Sequence, residues 1–520
     1  MKVKFVSVEE GVSALGFRRV AAIARVLFPA TEIYFLPVGN LYSISKHINP
    51  SSESGLSDDQ IDRIAREFAD ADLVAFSSMT PSAEWVEKIA GAIKHINPEV
   101  FILWGGSHCI LSPEEAILHV DAVCTGEGEA AFKSFFMAFA AGDDFHGTRS
   151  MWFRDGDVIK RNTNAPLNST ADLETFPHPF NDFSCQIYDP RYQGFRQYTP
   201  QDYVQYNGLS YKTIWTLGCP FSCSYCANDA FIAIDKCYRK IRYPSVDHLI
   251  KELEEAVKSH PFVCTVVFYD DNFIAIPLET LRYFCEQYRR CIGLPFVVFG
   301  LHPNLISEEK IDLLGKAGMN RGRMGIQSGS ERILAFYDRR TSLTRVAKSA
   351  SILAKAARKY KMIPPAYDVI SDNPLSTRED EINTLKFFYN LERPYTLTVF
   401  SLRAFPQTRL WKLLQDHSMP ELYETNSLYL ETRASMVNVL LYMLGIGKPP
   451  QWLFSRFLHS VRGYQEEQKW YPGLNLLFRF LLLFTRAIQH LRVLDFTTIT
   501  GGVGVYYLWK FGIVRPRIAK

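Results

Sequence analysis

Short apolar runs alternate with amphipathic stretches along the first part of the chain. The pattern predicts strands at 3–8, 32–37, 73–77 and 100–104 and at Ala122-Val123-Cys124, with helices at 16–28, 57–70, 82–94 and 128–140. A strand–helix–strand rhythm of this kind calls for a parallel sheet with helices on both faces. Periodicity then weakens over 141–210, a connector that holds a hairpin around Arg154-Asp155-Gly156-Asp157 and the run Phe176-Pro177-His178-Pro179-Phe180. From 211 to about 415 the alternation resumes in six strand–helix units, with strands at 211–216, 263–269, 295–300, 322–327, 366–371 and 396–400. Past 420 the runs Met436 to Leu444, Trp452 to Val461 and Leu474 to Leu494 read as helices that no longer alternate with strands. The expected division is an α/β domain over 1–145, a connector over 146–210, a six-unit (β/α) partial barrel over 211–420 and a helical C-terminal domain over 421–520.

Charge changes this picture only locally. A charged fraction of 22% and a net charge of +3 give no polyelectrolyte signal, so nucleic acid is not an expected partner. From residue 431 onward, however, 12 Lys and Arg stand against 4 Asp and Glu. That basic, Leu- and Phe-rich end fits either packing as a lid or contact with a membrane surface, while its uncharged runs are too short to span a bilayer. The N-terminus Met1 to Glu10 reads as a first strand and not as a signal peptide, and ten scattered cysteines suit a reducing compartment, so the expected location is cytoplasmic.

The most specific chemistry lies in Gly218-Cys219-Pro220-Phe221-Ser222-Cys223-Ser224-Tyr225-Cys226. Three thiolates within one loop leave a fourth ligand unspecified, and thiolates are soft ligands suited to iron–sulfur clusters or zinc. A structural zinc site closes with a second nearby Cys or His pair, and none follows; the nearest further thiol is Cys237. The loop also follows the first barrel strand, at the end where such barrels place their chemistry.

This CxxxCxxC, with aromatic Tyr225 just before its last cysteine, resembles the signature of the radical S-adenosylmethionine (SAM) superfamily. The resemblance implies that Cys219, Cys223 and Cys226 hold a [4Fe–4S] cluster whose open iron chelates SAM, and that an external low-potential donor supplies the electron. It also gives roles to other strand-end residues. Asp270 and Asp271, after the second strand, become candidates for contact with SAM or substrate. Gln327 and Ser328 in Gln-Ser-Gly-Ser resemble the family's Glu-Ser-Gly-Ser and imply polar recognition of SAM, with Gln losing the acid's charge. His302 and Arg403, after the third and sixth strands, are candidate substrate and cofactor contacts, and Tyr225, Asp270, Asp271 and His302 form the catalytic set.

In the first domain the loops after the strands are rich in Gly and Ser, which lets a backbone approach a bulky ligand. Their order, with Gly105-Gly106-Ser107-His108 and Gly126-Glu127-Gly128-Glu129, resembles the cobalamin-binding domain found upstream of the barrel in one subgroup of radical SAM enzymes. On that resemblance Ser13, Gly16, Ser77, Ser78, Thr80, Gly105, Gly106, His108, Gly126, Glu127 and Gly128 would line the cobalamin. The DxHxxG motif that supplies cobalt's lower ligand is missing, and Asp144-Phe145-His146 matches it only in part, so the resemblance implies cobalamin without a His ligand. The implied activity is a cobalamin-dependent methyltransferase acting on an unactivated carbon of a small-molecule, natural-product or lipid substrate. The rivals are a cyclase, rearrangement or oxidative enzyme with the same cofactors, and a non-catalytic cobalamin or iron–sulfur sensor.

Overall fold

The computed structural model describes residues 1–39, 55–423, 430–466, 472–493 and 497–514. The chain divides into two compact units: Met1–Leu209 with Lys251–Phe262 and Thr497–Ile513, and Ser210–Ile250 with Val263–Phe496. The C-terminal hundred residues are therefore shared between the units.

Unit 1 is built on the parallel strands β1 (Val3–Glu9), β2 (Glu32–Pro37), β3 (Leu73–Ser78), β4 (Phe101–Gly105) and β5 (Ala122–Cys124), within a few residues of the pattern in the sequence. Their spatial order is β5-β4-β3-β1-β2, so the direction of winding reverses between β1 and β3. Crevices for ligands open at the carboxyl ends of strands beside such a switch. The helices α1 (Leu15–Leu27), α2 (Asp58–Phe68), α3 (Ala83–Ile96) and α4 (Gly128–Ala141) cover the sheet. On one face Ile61, Ile64 and Phe68 of α2 and Val86, Ile89 and Ile93 of α3 bury against Val6, Val74, Phe76 and Ile102 of the strands.

The connector is part of this sheet. Its expected hairpin forms, as β6 (Met151–Asp155) and β7 (Val158–Arg161), antiparallel on the β5 edge. A second pair, β8 (Gln186–Asp189) and β9 (Gly194–Gln197), extends the β2 edge. These four-residue strands carry no sustained alternation, which is why the sequence reads as linker. Arg196 pins them by pairing with Asp189 (2.8 Å) and, at the start of α5 (Pro200–Asn207), with Asp202 (2.7 Å).

Unit 2 holds six parallel strands in sequential order: β10 (Ser210–Thr213), β11 (Thr265–Phe268), β12 (Phe296–Leu301), β13 (Met319–Gln327), β14 (Ala366–Ser371) and β15 (Thr396–Ser401). No strand pairing closes β15 onto β10 among the described residues, so the sheet is the expected open, partial barrel. Its helices are α6 (Ala227–Ile234), α7 (Val246–Ser259, whose later residues count with unit 1), α8 (Leu278–Cys291), α9 (Glu308–Ala317), α10 (Leu343–Lys359), α11 (Arg378–Asn390) and α12 (Arg409–Asp416). Thr377 and Asp380 form a reciprocal cap at the start of α11, and Ser307, Ser342 and Thr408 cap α9, α10 and α12.

Three further helices follow: α13 (Met436–Ile446), α14 (Gln451–Leu458) and α15 (Pro472–Val493). Helix α13 is buried along most of its length, and Asn438 at its first turn donates to the Asp372 carboxylate (3.0 Å) beyond the end of β14. The inner face of α15, with Phe478 and Leu481, packs on Val439 and Tyr442 of α13. Leu494, where the pattern ends the last apolar run, lies outside the described residues. The final helix α16 (Thr497–Lys510) belongs to unit 1, where Gly502 lies against the α5 backbone.

Candidate active site

The cysteine loop leaves β10 through Ile214–Leu217 and is fixed before the first cysteine. Leu217 exchanges two backbone hydrogen bonds with Arg242 (2.8 and 3.0 Å), and the Cys219 amide donates to the Tyr238 carbonyl (3.0 Å). Between them Gly218 has φ +97°, and a Cβ there would fall 2.6 Å from the carbonyl oxygens of both Tyr238 and Lys240. Only glycine permits that approach. The Cys226 amide donates to Cys223 O (3.0 Å), and Cys226 precedes the first turn of α6. Further along, the Ser224 amide donates to Tyr337 O (2.9 Å) and its carbonyl accepts from Leu410 N (3.0 Å).

Cys219 and Cys223 are buried and Cys226 half-buried, with no disulfide among them. Burial pushes the Cys219 thiol up to about 11 and the Cys226 thiol higher still. Two donors face the sulfurs: Asn272 Nδ2 lies 3.9 Å from Cys219 Sγ and Arg339 Nη1 3.6 Å from Cys223 Sγ. Arg339 also donates to the Tyr225 hydroxyl (3.1 Å) and to the Gly325 carbonyl. No three His, Cys, Asp or Glu side chains among the described residues converge as ligands of a single metal ion. Three thiols on one rigid loop, with buried donors directed at two sulfurs, are a donor set that fits an iron–sulfur cluster.

Neither Asn272 nor Arg339 was singled out in the sequence. Arg339 stands beside Arg340 in the run Tyr337-Asp338-Arg339-Arg340, and nothing local separates the buried guanidinium from its exposed neighbour. Asn272 follows the paired acids and was overshadowed by them.

Those acids take separate places. Asp270 is buried and accepts from Thr216 N and Thr216 Oγ1 (both 2.6 Å) and from Trp215 N (3.3 Å), tying the end of β11 to the strand exit that leads into the cysteine loop. Burial pushes its carboxyl up to about 6. Asp271 is exposed and accepts from the Tyr238 hydroxyl (3.3 Å). His302 is buried and stacks on Phe221 of the cysteine loop, with ring centroids 3.6 Å apart and planes at 13°. Its Nδ1 accepts from Asn304 N (3.2 Å), which puts the proton on Nε2, a buried atom with no hydrogen-bond partner among the described residues. Burial lowers its pKa to about 2, so the ring is neutral. Tyr225 meets Tyr337 edge-on at 5.1 Å and packs on the cluster of Ile333, Leu402 and Leu410.

Gln327 ends β13 with φ +76°, a left-handed conformation that costs a residue with a Cβ. The following Ser328 Oγ lies 3.0 Å from Thr384 Oγ1 of α11 and accepts from Ser330 N, while Ser330 caps the short helix Glu331–Phe336. Arg403 is buried near Phe405 (5.4 Å). Within the sheet, Arg323 on β13 pairs through Nε with both oxygens of Asp368 on β14 (2.8 and 3.0 Å), and its guanidinium lies 5.0 and 5.3 Å from the rings of Phe299 and Phe400.

In unit 1 the sequence-predicted residues occupy strand ends and loops. Ser77 and Ser78 end β3, and Ser78 Oγ accepts from Trp104 Nε1 of β4 (3.0 Å). Thr80 opens a helical turn. Gly105 ends β4, and Gly106, with φ +98°, lies so close to β3 that a Cβ would fall 2.4 Å from Ser78 O. His108 is buried, stacked at 5.0 Å on Trp104, and neither ring nitrogen has a partner among the described residues; burial lowers its pKa to about 4. Gly126 approaches Ser150, Glu127 accepts from Asn168 N (2.6 Å) and Gly128 opens α4. Ser13 donates to Asn207 (2.8 Å), and exposed Gly16 is the second residue of α1, with open space where a Cβ would stand. Asp144 and His146 pair with each other after α4, both exposed. Closely stacked small-residue loops beside a winding switch, with an unpartnered buried imidazole among them, fit a large flat ligand such as cobalamin.

Comparison with known proteins agrees with both units. The B12 binding domain model matches residues 42–136 and the radical SAM superfamily model residues 213–375. An uncharacterized methyltransferase of Pyrococcus horikoshii is 25% identical over 368 residues, covering 69% of this chain and 73% of that protein. The anaerobic magnesium-protoporphyrin IX monomethyl ester cyclase of Cereibacter sphaeroides is 23% identical over 55% of this chain and 44% of its own length. Among solved structures, the cobalamin-dependent SAM radical enzyme OxsB with aqua-cobalamin bound aligns over 100% of this chain and 77% of its own, at TM-score 0.62 and 14% identity.

Proposed function

Since the chain belongs to the cobalamin-dependent radical SAM superfamily, we propose that it methylates an unactivated carbon of a small organic or lipid molecule in the cytoplasm. The observation that carries this reading is the pairing, in one chain, of a rigid three-thiol loop at the strand ends of unit 2 with small-residue loops at the winding switch of unit 1. The similarity to an uncharacterized methyltransferase over most of both lengths supports methyl transfer.

Cys219, Cys223 and Cys226 would hold the cluster, and the loops of Ser77–Thr80, Gly105–His108 and Gly126–Gly128 the cobalamin. When bound, these groups with SAM supply radical initiation and a transferable methyl group. The chain's own part is positional. Asn272 and Arg339 donate toward the sulfurs and stabilise negative charge there. His302, neutral and stacked on Phe221, offers an N–H and no proton acceptor at Nε2. Gln327 and Ser328 place amide and hydroxyl groups where SAM recognition is expected, and Asp270 holds the loop's entry in place.

A deletion strain tests the substrate reading. Its metabolite profile should lose one compound and accumulate another lighter by one CH2. Loss of a compound with no such partner would move the assignment to ring formation, the reaction named for the cyclase relative. Cobalt should carry no protein imidazole, since the DxHxxG motif is missing and its partial match, Asp144-Phe145-His146, follows α4 with Asp144 and His146 exposed. Nitrogen splitting in the cob(II)alamin electron paramagnetic resonance spectrum, abolished by His108→Phe, would contradict that.

A further inference from the structure

Helix α15 is amphipathic the wrong way out for a helix that only packs. Phe478 and Leu481 on its inner face meet α13. Its outer face carries Leu476 (74% exposed), Leu477, Phe480 (60% exposed), Leu483 and Phe484, and the rings of Phe480 and Phe484 stack at 5.7 Å. At 3.6 residues per turn these five side chains cover a continuous sector of about 120°. Scattered exposed apolar residues need no explanation, but a contiguous stripe on one helix does.

The charges around the stripe identify what covers it. Exposed Arg479 lies along one border of the stripe, Arg486 seven residues on faces Tyr442 and Glu431, and α15 itself contains no acidic residue. From 472 to the last residue the sequence has seven Lys and Arg and one Asp. In unit 1, Val503 and Tyr507 of α16 and Phe511 just past its end are exposed at four-residue spacing, beside Lys510. No described helix is long and apolar enough to cross a membrane. An apolar stripe with a basic border and no acid is the arrangement of a helix lying in the interface of a negatively charged bilayer. A second copy fits less well, because a twofold contact through the stripe would bring two arginine borders together with no acid on either helix.

We propose that the outer face of α15 is a docking surface for an anionic lipid membrane, with Leu476, Phe480 and Phe484 entering the interface and Arg479 meeting headgroups. The proposal does not depend on which carbon the enzyme alkylates. It is tested with the full-length, cluster-loaded protein and vesicles of phosphatidylcholine with or without phosphatidylglycerol. The protein should sediment with the anionic vesicles at low salt and be released as salt rises. Arg479→Gln should weaken partitioning about fivefold, the worth of one basic residue at such a surface. Phe480→Ser with Phe484→Ser should weaken it about thirtyfold or more. Iron content and SAM cleavage, which these residues do not touch, should stay at wild-type level and report that the variants fold. Absence of vesicle binding, equal binding to neutral vesicles at all salt concentrations, or a concentration-dependent dimer lost in the double Phe variant would each overturn the proposal.

Discussion

Replacing Asp270 by Ala separates a structural brace from a ligand contact. In the native fold its carboxylate takes two backbone donors and one hydroxyl, from Trp215 and Thr216, each about 1% exposed. The Ala variant leaves those groups buried with no acceptor, at about 1–3 kcal/mol each, so unit 2 should lose roughly 3–9 kcal/mol. Asp270→Asn keeps one acceptor but turns an NH2 toward a second donor, and should fall between wild type and Ala. Because Thr216 lies three residues before Cys219, the damage should appear first as faster amide hydrogen exchange across Trp215–Cys219, and then as iron lost on desalting. The assay is exchange mass spectrometry on the apo protein beside iron analysis of the reconstituted one. An Ala variant with wild-type exchange and iron content, but no cleavage of SAM, would refute the brace and return Asp270 to direct contact with SAM or substrate.

Anaerobic reconstitution should yield about four irons per chain, since three thiolates and SAM complete one cubane, and changing Cys219, Cys223 and Cys226 to Ala should abolish it; stoichiometric zinc with no iron–sulfur absorbance would count against the cluster. Arg339→Met should lower the cluster's midpoint potential by about 60 mV or more, the electrochemical equivalent of one charge-assisted hydrogen bond to sulfur; Arg339→Lys should recover part of it, and an unchanged potential in both would deny the contact to Cys223. His108 has its pKa lowered by burial to about 4, against about 6.5 when unfolded. The native state therefore excludes a proton that the unfolded state accepts, so this contribution is full above about pH 6.5 and is lost as pH falls toward 4. Relative to His108→Phe, denaturant unfolding of the wild type should weaken by on the order of 3 kcal/mol across that range, and parallel pH profiles would show that His108 is not buried neutral.

How much of this was legible follows the length scale of each signal. Strand–helix repeats and the CxxxCxxC loop are local patterns, and they located the parallel strands, the open barrel and the thiols. The strands β8 and β9 went unseen because four residues cannot display a period and because β8, which joins the pair to the sheet, meets β2 about 150 residues away. Arg339 was invisible because it reaches Cys223 across 116 residues. Asp270 was legible as a residue of interest but not as a brace, since its partners lie on a different strand exit. For the C-terminal end, composition left lid and membrane surface open; the fold buries α13 and leaves the outer face of α15 exposed, a division that no local pattern displays.

Methyl transfer by this chain should require both units. Anaerobic enzyme loaded with iron and cobalamin, given trideuteromethyl SAM, a low-potential reductant and an extract of the deletion strain, should put the labelled methyl on a single small molecule and release 5′-deoxyadenosine. Omitting cobalamin should abolish the label. Deoxyadenosine release with no labelled acceptor, unchanged by cobalamin, would contradict the account.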